Sequence, residues 1–127
     1  MYLKYFRLLP NDYMSYNVFA LNPISNVFSL YQDDDYTWKP MWFLIESECN
    51  LTDIDGIFRN EGKIINEVLA NEIGTKLKEV LKNGKINEYI KKYERFKKSS
   101  KDDYEYDKEL IKEFSNFCIN SKGFKIL

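Results

Sequence analysis

The 127-residue chain contains no histidine. Imidazole is the commonest general base at neutral pH, the usual partner of a nucleophilic serine or cysteine, and a standard zinc ligand. Its absence removes Ser-His and Cys-His catalysis and nearly all zinc enzymes. Gly-x-Gly-x-x-Gly, a Walker-type phosphate loop and Cys-x-x-Cys are also missing. No cofactor is implied and an enzyme is not expected; the catalytic class that survives is a carboxylate site using Mg²⁺, whose oxygen ligands need no histidine. Long apolar runs are absent as well. The longest, Met41 to Ile45, is far short of the roughly 20 residues of a membrane span. Lys4 and Arg7 fall inside what would have to be the apolar core of a signal peptide, so a cytoplasmic location without membrane attachment is expected. Cysteine is scarce: Cys49 closes an apolar stretch and Cys118 lies on the apolar face of a predicted helix. Each reads as a small buried hydrophobe rather than half of a disulfide, as a reducing compartment favours.

What is present describes an ordinary globular chain, 44% hydrophobic and 31% charged, of the commonest size for one domain. Residues 1–127 are expected to form a single domain, strand-rich over 1–50 and helix-rich over 60–121. Tyr2–Leu9, Tyr16–Leu21 and Val27–Gln32 read as strands separated by the turn residues Pro10-Asn11-Asp12 and Asn22-Pro23-Ile24-Ser25-Asn26. Met41–Cys49 reads as a fourth strand, with Met41, Phe43 and Ile45 pointing one way and Trp42, Leu44, Glu46 and Glu48 the other. After a turn at Thr52–Gly56, Ile64, Ile65, Val68, Leu69, Ile73, Leu77, Val80 and Leu81 recur at helical spacing behind Asn60 as N-cap. Ile86, Tyr89, Ile90, Tyr93 and Phe96 give a second helix and 97–103 a polar linker. Leu110, Ile111, Phe114, Phe117 and Cys118 give a third helix, from about Tyr104 to Gly123, before the apolar tail Phe124–Leu127. The expectation is an α+β fold: an N-terminal antiparallel sheet of about four strands, then about three helices and a short C-terminal strand.

Charge is unevenly placed. Residues 1–56 hold 3 basic and 8 acidic side chains, whereas the remainder holds 16 basic and 12 acidic. Asp53-Ile54-Asp55-Gly56 has the start of a calcium loop, but Ile57 and Ile64 stand at the fifth and twelfth positions, where oxygen ligands are required, so a turn is expected. Asp33-Asp34-Asp35 cannot converge on one ion from an extended chain, whose side chains alternate. Glu46 and Glu48, on one strand face and about 7 Å apart by strand rise, match a glycosidase pair in spacing but read as solubilising residues at the polar end of an edge strand. Lys85–Lys101 holds 7 basic residues against Glu88 and Glu94, interleaved with Tyr89, Tyr93 and Phe96. Nucleic-acid binding is one reading of that stripe; aromatics in the core with lysines solvating the opposite face is the other, and the favoured one.

The acidic, aromatic stretch is different in kind. Tyr36, Trp38 and Trp42 lie beside Asp33, Asp34 and Asp35, and 12 of the 21 aromatic residues precede residue 44. Two readings stand side by side: a surface turn with aromatics packed beneath it, or a binding patch in which Tyr36 and Trp38 anchor a partner that Asp33, Asp34 and Asp35 attract.

The C-terminal run Phe114-Ser115-Asn116-Phe117-Cys118-Ile119-Asn120-Ser121-Lys122-Gly123-Phe124-Lys125-Ile126 resembles an ending of small bacterial immunity proteins, in which a helix with spaced phenylalanines runs into Ser-Gly-Gly-Phe and a short strand. Here Lys122 stands in place of the first glycine. Such proteins neutralise toxins of polymorphic and contact-dependent growth inhibition systems. The resemblance implies a protein that binds a cognate toxin, often a nuclease with a basic surface, and occludes its active site or substrate path. The partner-binding residues expected on that basis are Asp33, Asp34, Asp35, Tyr36 and Trp38. The alternative is a small nucleic-acid-associated or phage regulatory protein using Lys85–Lys101.

Overall fold

Alternating apolar residues set the first strand pair. In β1 (Ser15–Ala20) Tyr16 and Val18 are buried, and in β2 (Leu30–Asp34) Tyr31 is buried while Leu30 and Gln32 face out. The strands run antiparallel with Tyr16 opposite Asp33 and Val18 opposite Tyr31, which puts the inward residues on one sheet face. Between them, Ser25 caps a single 3-10 turn, Asn26–Phe28. The computed structural model describes residues 15–51, 64–97 and 105–127. The strand expected at Tyr2–Leu9, the turn at Thr52–Gly56, the cap at Asn60 and most of the 97–103 linker lie outside the described residues.

The remaining elements are α1 (Asp35–Cys49), β3 (Ile64–Ile65), α2 (Glu67–Lys82), α3 (Ile86–Lys97), α4 (Lys108–Ser121) and β4 (Phe124–Ile126). The four strands form one antiparallel sheet in the order β2-β1-β4-β3. The fold is α+β, with the N-terminal strands and the short C-terminal strand in place and, among the described residues, four α-helices rather than three. The C-terminal strand does not extend an edge: it sits between β1 and β3, with Phe124 and Ile126 buried beside Val18 and Ile65. Gly123 makes the turn into it. Its φ of 103° is reserved for glycine, and a Cβ there would lie 2.8 Å from the Ile65 carbonyl oxygen.

Met41–Cys49 is helical, which corrects the expected fourth strand. The outward side of α1 carries Tyr36 and Phe43 beside Lys39, Glu46 and Ser47, so apolar residues stand on both sides of the helix and blur the 3.6-residue period until a two-residue period fits as well. Thr37, Trp38, Met41, Trp42, Leu44, Ile45 and Cys49 are buried. Phe43, expected in the core, is instead 59% exposed. A second correction concerns Ile64 and Ile65, which form β3; α2 begins at Glu67, where the Asn66 side chain accepts the Leu69 N–H at 2.9 Å. The third predicted helix also starts later, at Lys108, with the Asp107 carboxylate accepting the N–H groups of Glu109 and Leu110.

α1 and α4 cover the buried face of the sheet, and α2 packs on α4. The centre is aromatic: Trp38 stacks on Tyr16 at 5.3 Å and meets Trp42 and Phe114 edge-on at 5.5 and 5.4 Å. Such pairs add about 0.5–1.5 kcal/mol each beyond the burial of their area. α2 and α4 meet at Gly74, where Ser115 Oγ donates to the Gly74 carbonyl oxygen at 2.7 Å. The other sheet face is open among the described residues, with Leu30, Phe19, Lys125 and Ile64 forming one row across all four strands.

Candidate functional site

The acidic stretch is the junction between β2 and α1. Helix α1 leaves its first backbone N–H groups without intrahelical partners, and Asp34 supplies the cap, accepting the Tyr36 N–H at 2.9 Å. Asp35 is the first residue of the helix. Negative charge at this end is also favoured by the helix dipole.

Asp33 turns inward. Its Oδ2 accepts the Tyr31 hydroxyl at 3.0 Å, its Oδ1 accepts the Asp34 N–H at 2.8 Å, and Thr37 Oγ1 donates to Oδ1 as well. Burial pushes the Asp33 carboxyl up to about 7; the hydrogen bonds from Thr37, Asp34 and Tyr31 act against it without cancelling it. Burial, and then the charge of Asp33, hold the Tyr31 hydroxyl well above its usual range.

Tyr36 is half-buried, and its backbone carbonyl accepts the Glu105 N–H at 2.9 Å. The reason is Pro40, which lies inside α1 four residues on and has no N–H for that carbonyl. The contact brings the exposed Glu105, distant in sequence, beside the start of α1.

Trp38 is 0% exposed. It belongs to the core, which corrects its expected place as an exposed anchor. Of the five residues expected at a partner surface, the structure sets Asp34, Asp35 and Tyr36 at the helix start, directs the Asp33 carboxylate inward, and takes Trp38 away. A helix-start signal was available to find this: Asp34 precedes the run, and Asp33 and Thr37 are four apart. Glu105 carried no such signal, because its arrival depends on the carbonyl that Pro40 leaves open.

No family model, curated protein or solved structure matches this chain. The site is therefore read from its own chemistry. Among the described residues no three or more acidic or cysteine side chains are gathered where they could hold a metal ion. The calcium-like Asp53–Gly56 lies outside the described residues. Cys49 and Cys118 are free and buried, and burial raises both thiols, Cys49 to about 11. Thiols so protonated are poor nucleophiles and poor metal ligands.

A second polar cluster joins α1 to α3. Glu48 accepts Tyr89 Oη and pairs with Lys85 Nζ at 3.0 Å. Burial alone would raise the Glu48 carboxyl, but the Tyr89 hydroxyl and the Lys85 ammonium outweigh it and hold Glu48 below its usual value. Tyr89 and Tyr93 meet Tyr106 edge-on at 6.4 and 5.6 Å, so both rings pack against the chain. Lys91, Lys92 and Arg95 are exposed, and Lys108 Nζ reaches Asn87 Oδ1 at 3.2 Å. Lys85 is committed to Glu48, and both tyrosines are half-buried. What α3 offers outward is a solvated, mixed-charge face in which Lys91, Lys92 and Arg95 stand with Glu88 and Glu94.

Proposed function

We propose that this chain is an immunity protein that binds a cognate toxin domain, a nuclease, and blocks its active site or substrate path by occlusion. It acts in the cytoplasm as a stoichiometric inhibitor and performs no catalysis. The observation that supports this reading best is the Tyr36–Glu105 backbone contact, which sets the exposed Glu105 beside Asp34, Asp35 and Tyr36. Two remote parts of the chain thereby contribute acidic residues to one end of α1. Negative charge gathered there attracts a basic surface and speeds encounter, and Tyr36 supplies the aromatic contact. The C-terminal resemblance points to the same class.

The test is kinetic. Asp34→Asn, Asp35→Asn and Glu105→Gln remove charge while keeping the cap, since asparagine caps as well as aspartate. Association with the product of an adjacent toxin gene is expected to slow several-fold at low salt, with the difference fading as salt rises. An unchanged on-rate at low salt, or a gene neighbourhood with no toxin, counts against the proposal.

The exposed Lys91, Lys92 and Arg95 favour a second reading, association with a nucleic-acid backbone through α3. It requires retention on DNA or heparin that falls steeply with salt.

A further inference from the structure

We infer that the toxin domain rests on the outer face of the sheet, and that its matching surface is apolar, carries a carboxylate opposite Lys125 and is basic at the margin that meets Asp34. The inference rests on the toxin reading and assigns the interface within it.

An antiparallel sheet packed on one side turns apolar residues inward and polar ones outward. Part of this face obeys: Gln32 and Asn17 stand opposite each other, and Gln32 Nε2 donates to Asn17 Oδ1 at 2.8 Å. The neighbouring row does not. Leu30, Phe19, Lys125 and Ile64 lie side by side across β2, β1, β4 and β3, and all but Lys125 are large hydrophobes. The ladder continues on either side of this row. Leu21 N–H donates to the Gly123 carbonyl at 2.9 Å, and Leu127 N–H to the Asn17 carbonyl at 2.8 Å. Residues two apart on a strand share a face, so Leu21 joins Phe19 and Leu127 joins Lys125. The apolar side chains of this face are between 37% and 62% exposed. Contiguous apolar surface of this kind marks a place where another protein sits.

Charge decides the occupant. Lys125 stands half-buried in the apolar row, and among the described residues no carboxylate pairs with it. Once the face is covered, that ammonium needs an anion. A second copy laid face on face about an axis through the row would bring two Lys125 side chains together. The outward neighbours Phe19, Ile64, Asn17 and Leu127 supply no acidic side chain to separate them. A partner with a different charge pattern fits instead. On β2 the outward side runs from Leu30 through Gln32 to Asp34, about 13 Å by strand rise, and Asp34 leads into the start of α1 beside Glu105. Cations opposite Asp34 and Glu105, an apolar centre and a carboxylate opposite Lys125 complete the contact. A metal-dependent nuclease offers both charges, since basic residues that bind phosphates surround carboxylates that hold the ion.

The test measures binding of the full chain to the toxin domain encoded by the adjacent gene. Phe19→Thr keeps strand propensity and is expected to weaken binding at least about 30-fold, mainly through faster dissociation. Lys125→Glu sets like charges against each other and is expected to weaken it about a hundredfold. Should Phe19→Thr fold poorly, the surface change Lys125→Glu carries the test. Wild-type binding that both variants leave unchanged overturns the sheet-face assignment and spares the toxin reading, whereas a wild-type chain that does not bind overturns both. Sedimentation of the free chain is expected to show a monomer; a dimer that Phe19→Thr dissociates gives the face to a second copy and overturns the inference. A fall in urea stability from Phe19→Thr as large as that from Val18→Ala, its buried neighbour, means that the chain fills this face itself, and overturns it as well.

Discussion

The Tyr36 carbonyl accepts the Glu105 N–H at 2.9 Å in the position where an uninterrupted helix would have bonded it to residue 40. Pro40 is therefore a positioning residue for the segment that enters α4, besides being buried in α1. Pro40→Ala restores an N–H four residues after Tyr36 and sets it in competition with Glu105. The expected outcome is that the Glu105 amide exchanges about fivefold faster, as loss of one hydrogen bond of about 1 kcal/mol implies, while the amides of α1 stay protected. Unchanged protection at Glu105 would show that the segment is held by other contacts.

Much of the fold was legible in residue pattern, and the largest failure, at α1, carried the site with it. The stripes of α2, α3 and α4 are one-sided, so their 3.6-residue period is plain, and Tyr16–Leu21 alternates as a half-buried strand must. Helix α1 turns Tyr36 and the exposed Phe43 to its outward side, so its apolar residues do not mark out one face, and Pro40 inside it also disfavours a helix. The site suffered the same error. An extended chain before a strand would have left Trp38 in solvent, whereas a helix starting at Asp35 turns it onto Tyr16 and Phe114. Ile64 and Ile65 match the helix stripe by spacing, and only pairing with β4 assigns them to a strand.

Glu48 ties α3 to α1 through Tyr89 and Lys85, with its carboxyl below the usual value. A depressed carboxyl contributes stability that is present above its unfolded value and lost as pH falls through the folded one. Protection of the α3 amides, relative to their intrinsic exchange at each pH, is therefore expected to fall below the ordinary glutamate range of about 4.3, and Glu48→Gln should lower it already at neutral pH. Because Lys85 is substantially exposed, the cost to global stability stays within about 1 kcal/mol. Equal loosening of α2 and α4 in the variant would contradict a local tie.

Gly74 lets α2 and α4 approach until Ser115 Oγ reaches its carbonyl at 2.7 Å. A Cβ at 74 would lie 2.8 Å from the Ser115 carbonyl oxygen and 2.6 Å from Ile119 Cγ1. The first of these is backbone and cannot step aside. Alanine gains about 1 kcal/mol in helix propensity, yet Gly74→Ala is expected to destabilise the chain by about 1–3 kcal/mol in urea unfolding, because the helices must separate. Ser115→Ala loses only the hydrogen bond, a cost of about 0.5–1.5 kcal/mol. Stabilisation by Gly74→Ala would mean that the helices have room to part.

Lys122 ends α4 in the left-handed region, at φ 58°, followed by Gly123 at φ 103°. This is the position where the resembling immunity-protein ending, Ser-Gly-Gly-Phe, has its first glycine. The backbone gives a physical reason for glycine there: a residue with a Cβ pays about 1–2 kcal/mol to enter this conformation, and glycine enters freely. Lys122 is exposed, so its side chain has little packing to lose. Against the gain stands the greater freedom of glycine in the unfolded chain, worth about 0.4–1 kcal/mol. Lys122→Gly is therefore expected to stabilise the protein by about 0.5–1 kcal/mol in urea unfolding, without altering the sheet pairing of β4. A loss of stability would mean that the lysine side chain makes a contact worth more than the strain, and that the two endings share a residue pattern without sharing a turn.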